Sequence, residues 1–189
     1  ALRRERSAQE YKTALDDIAG SARDSAKLVD GLLALSRADA TAPVERTKVD
    51  VNELLAEVKR LFDARAQAKS VDLGVIAPPG LEWLASRTRL RELLDALLDN
   101  ALTYTPEHGV VRVEATATTL EVRDSGPGIP ASEREQVFER FFRGSGAQGT
   151  SGSGLGLAVV KAIAEADGAT VSIDTAPEGG ACVRVRFAS

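Results

Sequence analysis

The sequence predicts an α+β fold in which helices cover one mixed β-sheet, preceded by a separate helical segment. Three observations support this prediction. Residues 1–39 contain no proline and have the pattern of a helix. Residues 40–47 include Pro43 and interrupt that pattern, as a linker does. After the interruption, helical and strand-like segments alternate, which is typical of helices packed on a sheet.

Composition narrows the functional classes. The 189 residues carry a net charge of −4, and lysine and arginine are scattered among acidic residues, which disfavours nucleic-acid binding. The single cysteine, Cys182, excludes an intrachain disulfide and a cysteine-rich zinc site. No apolar run approaches the roughly 18 residues that a membrane span needs. Because the sequence lacks methionine and begins at Ala1 within a helical pattern, we expect it to be part of a longer protein.

The N-terminal segment begins a helix at the capping-box spacing of Ser7 and Glu10, and residues 1–6 would be the tail of a preceding helix. A wide apolar stripe follows; it comprises Tyr11, Leu15, Ile18, Ala22, Leu28, Val29, Leu32, Leu33 and Leu35. A stripe of this width favours a helical bundle formed with a second chain. The alternative is a helix packed on its own globular domain.

Local signals predict each later element. Asp50 and Glu53 repeat the capping-box spacing and predict a helix to about residue 68. Ser86 caps a leucine-rich helix that runs from Arg87 to about Tyr104. Strands are expected over residues 71–76, 81–85, 110–116, 120–123, 170–174 and 181–187. A short helix over residues 133–142 and a last helix over residues 155–166 complete the pattern.

Three clusters carry candidate chemistry. Asn100 lies in the leucine-rich helix, where its amide oxygen suits Mg²⁺, although asparagine also caps helix ends. Asp124 leaves a strand and can accept a hydrogen bond from an exocyclic amine such as that of adenine, although the residues that follow are also those of an ordinary turn. Residues 149–157, GTSGSGLGL, open a helix, and backbone N–H groups at such a helix start favour phosphate. A flexible linker is the alternative for this third cluster, but it does not explain the apolar helix that follows.

Together and in this order, these clusters resemble the nucleotide-binding boxes of bacterial sensor histidine kinases. "LLDNALTYTP" is similar to the N box, "DSGPGIP" to the G1 box, "VFERFFRG" to the F box and "GSGLGLAVVKAI" to the G2 box. "LVDGLLALSRADA" resembles the second helix of that family's dimerisation and phosphoacceptor domain. The resemblance implies a Bergerat-type α/β sandwich over residues 49–189. Residues 1–40 would be a partial phosphoacceptor segment and residues 41–48 a linker.

The resemblance also implies a role for each box. Asn100 would bind Mg²⁺, Tyr104 would lie beside the nucleotide, and Asp124 would bind adenine. The other ATP contacts would come from Gly126, Gly128, Ile129, Gly152, Gly154, Leu155, Gly156 and Leu157. Arg140 and Arg143 would face the γ-phosphate or dock on the acceptor helix, unless they belong to a solvated helix end. Residues 125–153 would form an ATP lid, mobile over residues 144–152.

Three departures from the family pattern bear on activity. Ala96 stands where the family usually has asparagine and where the related ATPases have a general-base glutamate, which argues against hydrolysis of ATP. Thr103 replaces a lysine that faces phosphate. No acceptor motif of the form His-Glu-x-x-x-Pro occurs, and the single histidine, His108, lies in a turn. We therefore expect this chain to be unable to phosphorylate itself.

The implied function is transfer of the ATP γ-phosphoryl to a histidine outside this chain, with relay to an aspartate of a response-regulator receiver domain. A homodimer through the N-terminal helices is expected, and so is a cytoplasmic position in a protein anchored in the inner membrane by segments outside this sequence. Two alternatives remain. A degenerate nucleotide-binding scaffold would account for Ala96 and Thr103. A serine kinase of the anti-sigma-factor type shares the boxes, but the amphipathic N-terminal helix disfavours it.

Overall fold

The computed structural model describes residues 7–39, 44–147 and 152–188. Its helices are α1 Ala8–Asp39, α2 Val51–Ala68, α3 Arg87–Tyr104 and α4 Gly156–Ala166. Its strands are β1 Thr47–Asp50, β2 Asp72–Ile76, β3 Glu82–Ala85, β4 Val110–Ala115, β5 Thr119–Asp124, β6 Thr170–Thr175 and β7 Ala181–Arg186. None of the helices in this part of the chain is both long and apolar enough to cross a bilayer.

Five strands form one mixed sheet in the order β2-β4-β5-β7-β6. Strand β2 runs parallel to β4, and the other neighbours are antiparallel. Buried and half-buried residues alternate along β5, so Leu120, Val122 and Asp124 share the covered face. Asp124 pairs in register with the fully buried Val111 of β4. The alternation of the strand therefore turns one carboxylate toward the helices.

Helix α3 lies over this sheet and follows the predicted bounds. The Ser86 hydroxyl accepts a hydrogen bond from the Arg89 N–H at 3.5 Å, which confirms the predicted cap. Its buried face consists of Leu90, Leu93, Leu94, Leu97, Leu98, Ala101 and Leu102. Each fully buried leucine contributes roughly 1.5–3 kcal/mol of transfer free energy, so this face fixes the helix on the sheet. The opposite face of α3 remains available for a site.

The last turn of α3 is held by a lysine from the end of α2. Lys69 Nζ donates hydrogen bonds to the backbone oxygens of Leu102 at 2.8 Å and Thr105 at 2.7 Å. The final carbonyls of a helix lack partners within the helix, so a cation placed here stabilises the helix end. This contact fixes the segment that carries Asn100 and Tyr104.

Helix α1 packs on its own domain at one end, as the second alternative for the N-terminal segment predicts, and exposes apolar side chains over the rest of its length. Ser7 and Glu10 form the predicted capping box, with reciprocal bonds of 2.6 and 3.2 Å. At the other end of α1, Leu35 is buried in the common core beside α4. The apolar residues before it, from Tyr11 to Leu33, include side chains that are 46–65 % exposed. The end of α1 thus packs on its own domain, and most of the stripe is left uncovered.

The linker region contains a strand that the sequence pattern did not indicate. Strand β1 pairs with β3 in an antiparallel two-stranded sheet, with Val49 opposite Trp83. Trp83 Nε1 donates to the Thr116 backbone oxygen at 3.0 Å, and its ring contacts Phe187. Residues 44–48 are therefore partly tied to the domain. Residues 1–6 and 40–43, which include the expected tail of a preceding helix and part of the linker, lie outside the described residues.

The short helix expected over residues 133–142 is replaced by two 3₁₀ turns, Ala131–Glu133 and Gln136–Phe138. Glu139 is extended, and Phe141 has a left-handed backbone with φ of +66°. The Phe141 N–H donates to the Gly154 oxygen at 3.0 Å. A contact between residues distant in the sequence has therefore overridden the local helical pattern.

Candidate nucleotide-binding site

A cavity of about 670 Å³ lies between α3, the start of α4 and the segment that follows β5. This volume is in the range of small-molecule sites. Most residues proposed from the sequence line it: Asn100, Tyr104, Asp124, Gly128, Ile129, Arg143, Gly152, Gly154, Leu155, Gly156 and Leu157. Elements far apart in the chain therefore bring the N-box, G1-box and G2-box residues together.

Two of the proposed residues do not line the cavity. The Gly126 N–H donates to Asp124 Oδ1 at 2.8 Å, and a Cβ at Gly126 would lie 2.9 Å from the Tyr104 oxygen. Gly126 therefore supports Asp124 from outside the cavity lining, at a position where there is no room for a side chain. Arg140 is exposed outside the cavity, whereas Arg143 is on its lining.

Asp124 is the buried acid of the site, with only 6 % of its surface exposed. The N–H groups of Gly126 and Ala181 donate to its Oδ1 at 2.8 and 3.2 Å. Burial raises the pKa of this carboxyl, and the two hydrogen bonds oppose the rise. Within the part of the chain that the structure describes, Oδ2 accepts no hydrogen bond. Oδ2 is therefore left as a hydrogen-bond acceptor for a ligand in the cavity.

Gly180 is a part of this arrangement that sequence reasoning missed. A Cβ at Gly180 would overlap both the backbone oxygen and Oδ1 of Asp124. The glycine pair before β7 looks like an ordinary hairpin turn in the sequence, so no local signal marked it. Its role follows only from the pairing of β5 with β7.

Helix α3 forms the opposite wall. Asn100 lies about one turn after Ala96 and one turn before Tyr104, and all three line the cavity. The Ala96 backbone oxygen lies 3.8 Å from the position of a Cβ on Gly156, so α3 and α4 approach closely here. Ala96 places no carboxylate on this wall.

A row of carboxylates also lines the cavity along α3, and each carboxylate is paired with an arginine. The pairs are Arg37–Glu92, Arg91–Asp95 and Arg65–Asp99. Burial raises the pKa of Asp95, while the two-pronged contact with Arg91 lowers it. The spacing of these acids places them on one helix face and is visible in the sequence. Arg91 is four residues before Asp95 on the same helix, whereas Arg37 of α1 and Arg65 of α2 come from other helices, which the sequence did not indicate.

The start of α4 contributes Leu155, Gly156 and Leu157 to the cavity lining. Among the residues that the structure describes, no side chain caps this helix, and the Leu155 N–H donates to Ser153 Oγ at 3.3 Å. Gly154 has φ of +69°, and a Cβ there would lie 2.8 Å from the Phe141 carbonyl carbon. Uncapped N–H groups at a helix N-terminus suit an anion. Residues 148–151, which belong to the predicted mobile stretch, lie outside the described residues.

Helices α1 and α2 complete the lining with residues that the motifs did not reveal. Asp30, Gly31, Ala34 and Arg37 contribute from α1, and Leu61 and Phe62 contribute from α2. Gly31 permits the contact with α4, because a Cβ there would lie 3.1 Å from Leu155 Cδ1. The predicted nucleotide site therefore includes one wall from the N-terminal segment.

Comparison with known proteins identifies the family. Residues 85–189, more than half of the chain, match the family described as histidine kinase-, DNA gyrase B-, and HSP90-like ATPase. A probable sensor histidine kinase HK of Mycobacterium tuberculosis is 36 % identical over 188 residues, which cover 98 % of this chain and 49 % of that protein. Sensor histidine kinase TmoS of Ectopseudomonas mendocina is 34 % identical over 169 residues, 85 % of this chain and 17 % of that protein.

A solved structure has the same fold over nearly the full chain. Full-length ShkA in complex with AMPPNP covers 98 % of this chain with a TM-score of 0.76 and 28 % identity, and the match covers 40 % of that protein. This chain thus spans about half or less of the curated relatives and of this full-length structure. The likeness confirms the predicted α+β fold of Bergerat type. The chain belongs to the histidine kinase-, DNA gyrase B- and HSP90-like ATPases, as an ATP-binding catalytic region of the sensor histidine kinase type.

Proposed function

We propose that this chain binds ATP with Mg²⁺ in the cavity and delivers the γ-phosphoryl to a histidine on a helix outside the chain. The observation that carries this proposal is Asp124, a buried carboxylate on the cavity lining whose Oδ2 is left to a ligand. The adenine amine is a matching donor. The similar structure of ShkA, which is in complex with AMPPNP, supports nucleotide binding by this chain.

The other residues of the cavity fit the remaining parts of the nucleotide. Gly128 and Ile129 lie beside Asp124 and would contact the base. The uncapped start of α4 would receive the phosphates. Asn100 would hold Mg²⁺, which shares the phosphate oxygens and offsets their charge during transfer. The site thus has one end for the base and another for the charged groups.

The chain itself would act by positioning. Ala96 offers no carboxylate where the related ATPases have their general base, and the acids of α3 on the lining are each paired with an arginine, so the incoming nucleophile would be the acceptor imidazole. A bond forms between the imidazole nitrogen and the γ-phosphorus while the bond to the β,γ-bridging oxygen breaks, and ADP leaves. Arg143 lines the cavity and would face the γ-phosphate, whereas the exposed Arg140 would dock on the acceptor helix.

The partners follow from the same proposal. The phosphoryl group would pass from the histidine to an aspartate of a response-regulator receiver domain, and no nucleic acid takes part. A membrane anchor would lie outside this sequence, which places the catalytic region in the cytoplasm at the inner membrane.

The exposed stripe of α1 should mediate a homodimer. Leu15 and Ile18 are 64 % and 65 % exposed, so replacing both by glutamate costs the monomer little but places charge in a helical bundle. Sedimentation should show a concentration-dependent dimer for residues 1–189. Both the Leu15→Glu/Ile18→Glu variant and a chain that starts at Val44 should remain monomeric. Equal sedimentation of all three forms would show that the stripe does not mediate association.

Substitution of Asn100 should abolish the contribution of Mg²⁺ to ATP binding. With Asn100→Ala, ATP affinity should be nearly the same with and without Mg²⁺, because the metal loses its oxygen ligand on α3. Asn52→Ala is the matched control, since Asn52 donates to the Pro78 oxygen outside the cavity and should leave the Mg²⁺ effect intact. Titration calorimetry at both metal levels measures this. A full Mg²⁺ effect in Asn100→Ala would exclude Asn100 as the ligand.

A further inference from the structure

We propose that Arg65 is a nucleotide-positioning residue, which cancels the charge of Asp99 so that the triphosphate can lie beside Asn100. Arg65 lies on α2, outside all four sequence boxes. The inference rests on the proposed nucleotide site. It assigns to α2 a positive charge that the N box of this chain does not supply.

The geometry ties Arg65 to both sides of Asn100. Its guanidinium Nη1 donates to Asp99 Oδ1, and Nη2 donates to the Asp99 backbone oxygen at 3.3 Å and to Thr103 Oγ1 at 2.7 Å. Thr103 Oγ1 in turn donates to the Asp99 backbone oxygen at 2.6 Å. One planar side chain thus braces the turn of α3 that presents Asn100 to the cavity.

An anionic ligand in the cavity requires that the negative charge of Asp99 be balanced, and Arg65 provides the balancing charge. Asp99 lines the cavity next to Asn100, and Thr103 lines it one turn later without any charge of its own. A bare carboxylate here would repel the phosphates, and only part of that repulsion would be screened in a partly enclosed site. Arg65 turns the Asp99 position from an anion into a neutral pair.

The other two ion pairs along α3 are less suited to this task. Asp95 and Glu92 lie more than one turn and two turns before Asn100. Arg91, the partner of Asp95, also bonds Glu57 of α2 and is thus engaged in a second ion pair. Arg65 is the arginine of the three that contacts Thr103, where the family resemblance leads one to expect a lysine.

The test compares ATP with adenosine, because adenosine lacks the phosphates. With Arg65→Gln, the affinity for ATP in Mg²⁺ should fall about tenfold or more, while the affinity for adenosine stays unchanged. Raising the salt concentration should reduce the loss. Adding Asp99→Asn to Arg65→Gln should restore most of the ATP affinity, since the negative charge that Arg65 balanced is then removed as well. Arg65→Lys, which keeps the charge without the fork, should fall between the wild type and Arg65→Gln.

Arg112 provides a matched control. It bonds both the carboxylate and the backbone oxygen of Asp72 as Arg65 does with Asp99, but it lies on β4 outside the cavity lining. Arg112→Gln should bind ATP as the wild type does. Wild-type affinity in Arg65→Gln, an equal loss of adenosine binding, or no recovery in the double variant would each overturn the inference and leave the proposed function standing. Absence of ATP binding by the wild type would overturn both.

Discussion

Incubated with radiolabelled ATP and Mg²⁺, the 189-residue chain should bind the nucleotide and remain unlabelled. Its single histidine, His108, is exposed in the turn that follows α3, with φ of +63° and its N–H donating to the Lys69 oxygen at 3.3 Å. This turn belongs to the same rigid end of α3 that carries the nucleotide site. The imidazole therefore has no path to the γ-phosphate of its own chain.

Adding a second chain that carries a phosphate-accepting histidine should produce labelled protein. The acceptor is a longer chain that carries an upstream histidine but is disabled for phosphoryl transfer by Asn100→Ala, which removes the proposed Mg²⁺ ligand. Acid-labile label should appear on the longer chain, and only when the two chains are mixed. Label on the 189-residue chain that survives His108→Ala would instead indicate serine or threonine chemistry of the anti-sigma-factor type. Nucleotide binding with no label in the mixture would favour a degenerate scaffold.

The Asp124→Asn substitution should weaken ATP binding without destabilising the fold. An asparagine side chain is nearly isosteric, but it must turn its NH₂ group either to the two backbone donors or to the adenine amine, and both choices set donor against donor. A donor left without an acceptor in a buried site costs 1–3 kcal/mol, so ATP affinity should fall on the order of tenfold to a hundredfold.

The fold should tolerate the same substitution. Burial raises the pKa of Asp124, so the ionised form is less favourable in the folded chain than in the unfolded chain. That penalty begins as pH rises through the ordinary aspartate range, and it is absent in the neutral asparagine. Thermal unfolding at neutral pH without nucleotide should therefore occur at the same or a higher temperature. A large loss of stability together with the loss of binding would mean that Asp124 is mainly structural.

The sequence was sufficient to predict the features of the fold and the site that depend on residues close together along the chain. The caps at Asp50 and Ser86, the leucine face of α3 and the glycines that open α4 are all set by neighbours along the chain, and the structure confirms them. Asp124 could be marked as a candidate because it ends a strand ahead of a glycine turn.

The parts that were missed depend on distant partners. The left-handed Phe141 is held by Gly154, and Gly180 matters only because β7 lies beside Asp124. Arg65, which pairs with Asp99, comes from α2 and lies outside the N box. Residues 47–50 form strand β1 because they pair with β3, which lies beyond α2 and β2 in the sequence. Periodicity and capping signals do not encode which segments meet, so these features required the three-dimensional arrangement.

The central claim is that the cavity holds an adenine nucleotide through Asp124. Calorimetric titration of the wild-type chain with ATP and with GTP, each with Mg²⁺, tests it most directly. ATP should bind at least about tenfold more tightly, because the guanine carbonyl would place an acceptor against Asp124 Oδ2 where adenine places a donor. Equal affinity for the two nucleotides would contradict the assignment of Asp124 and of the cavity.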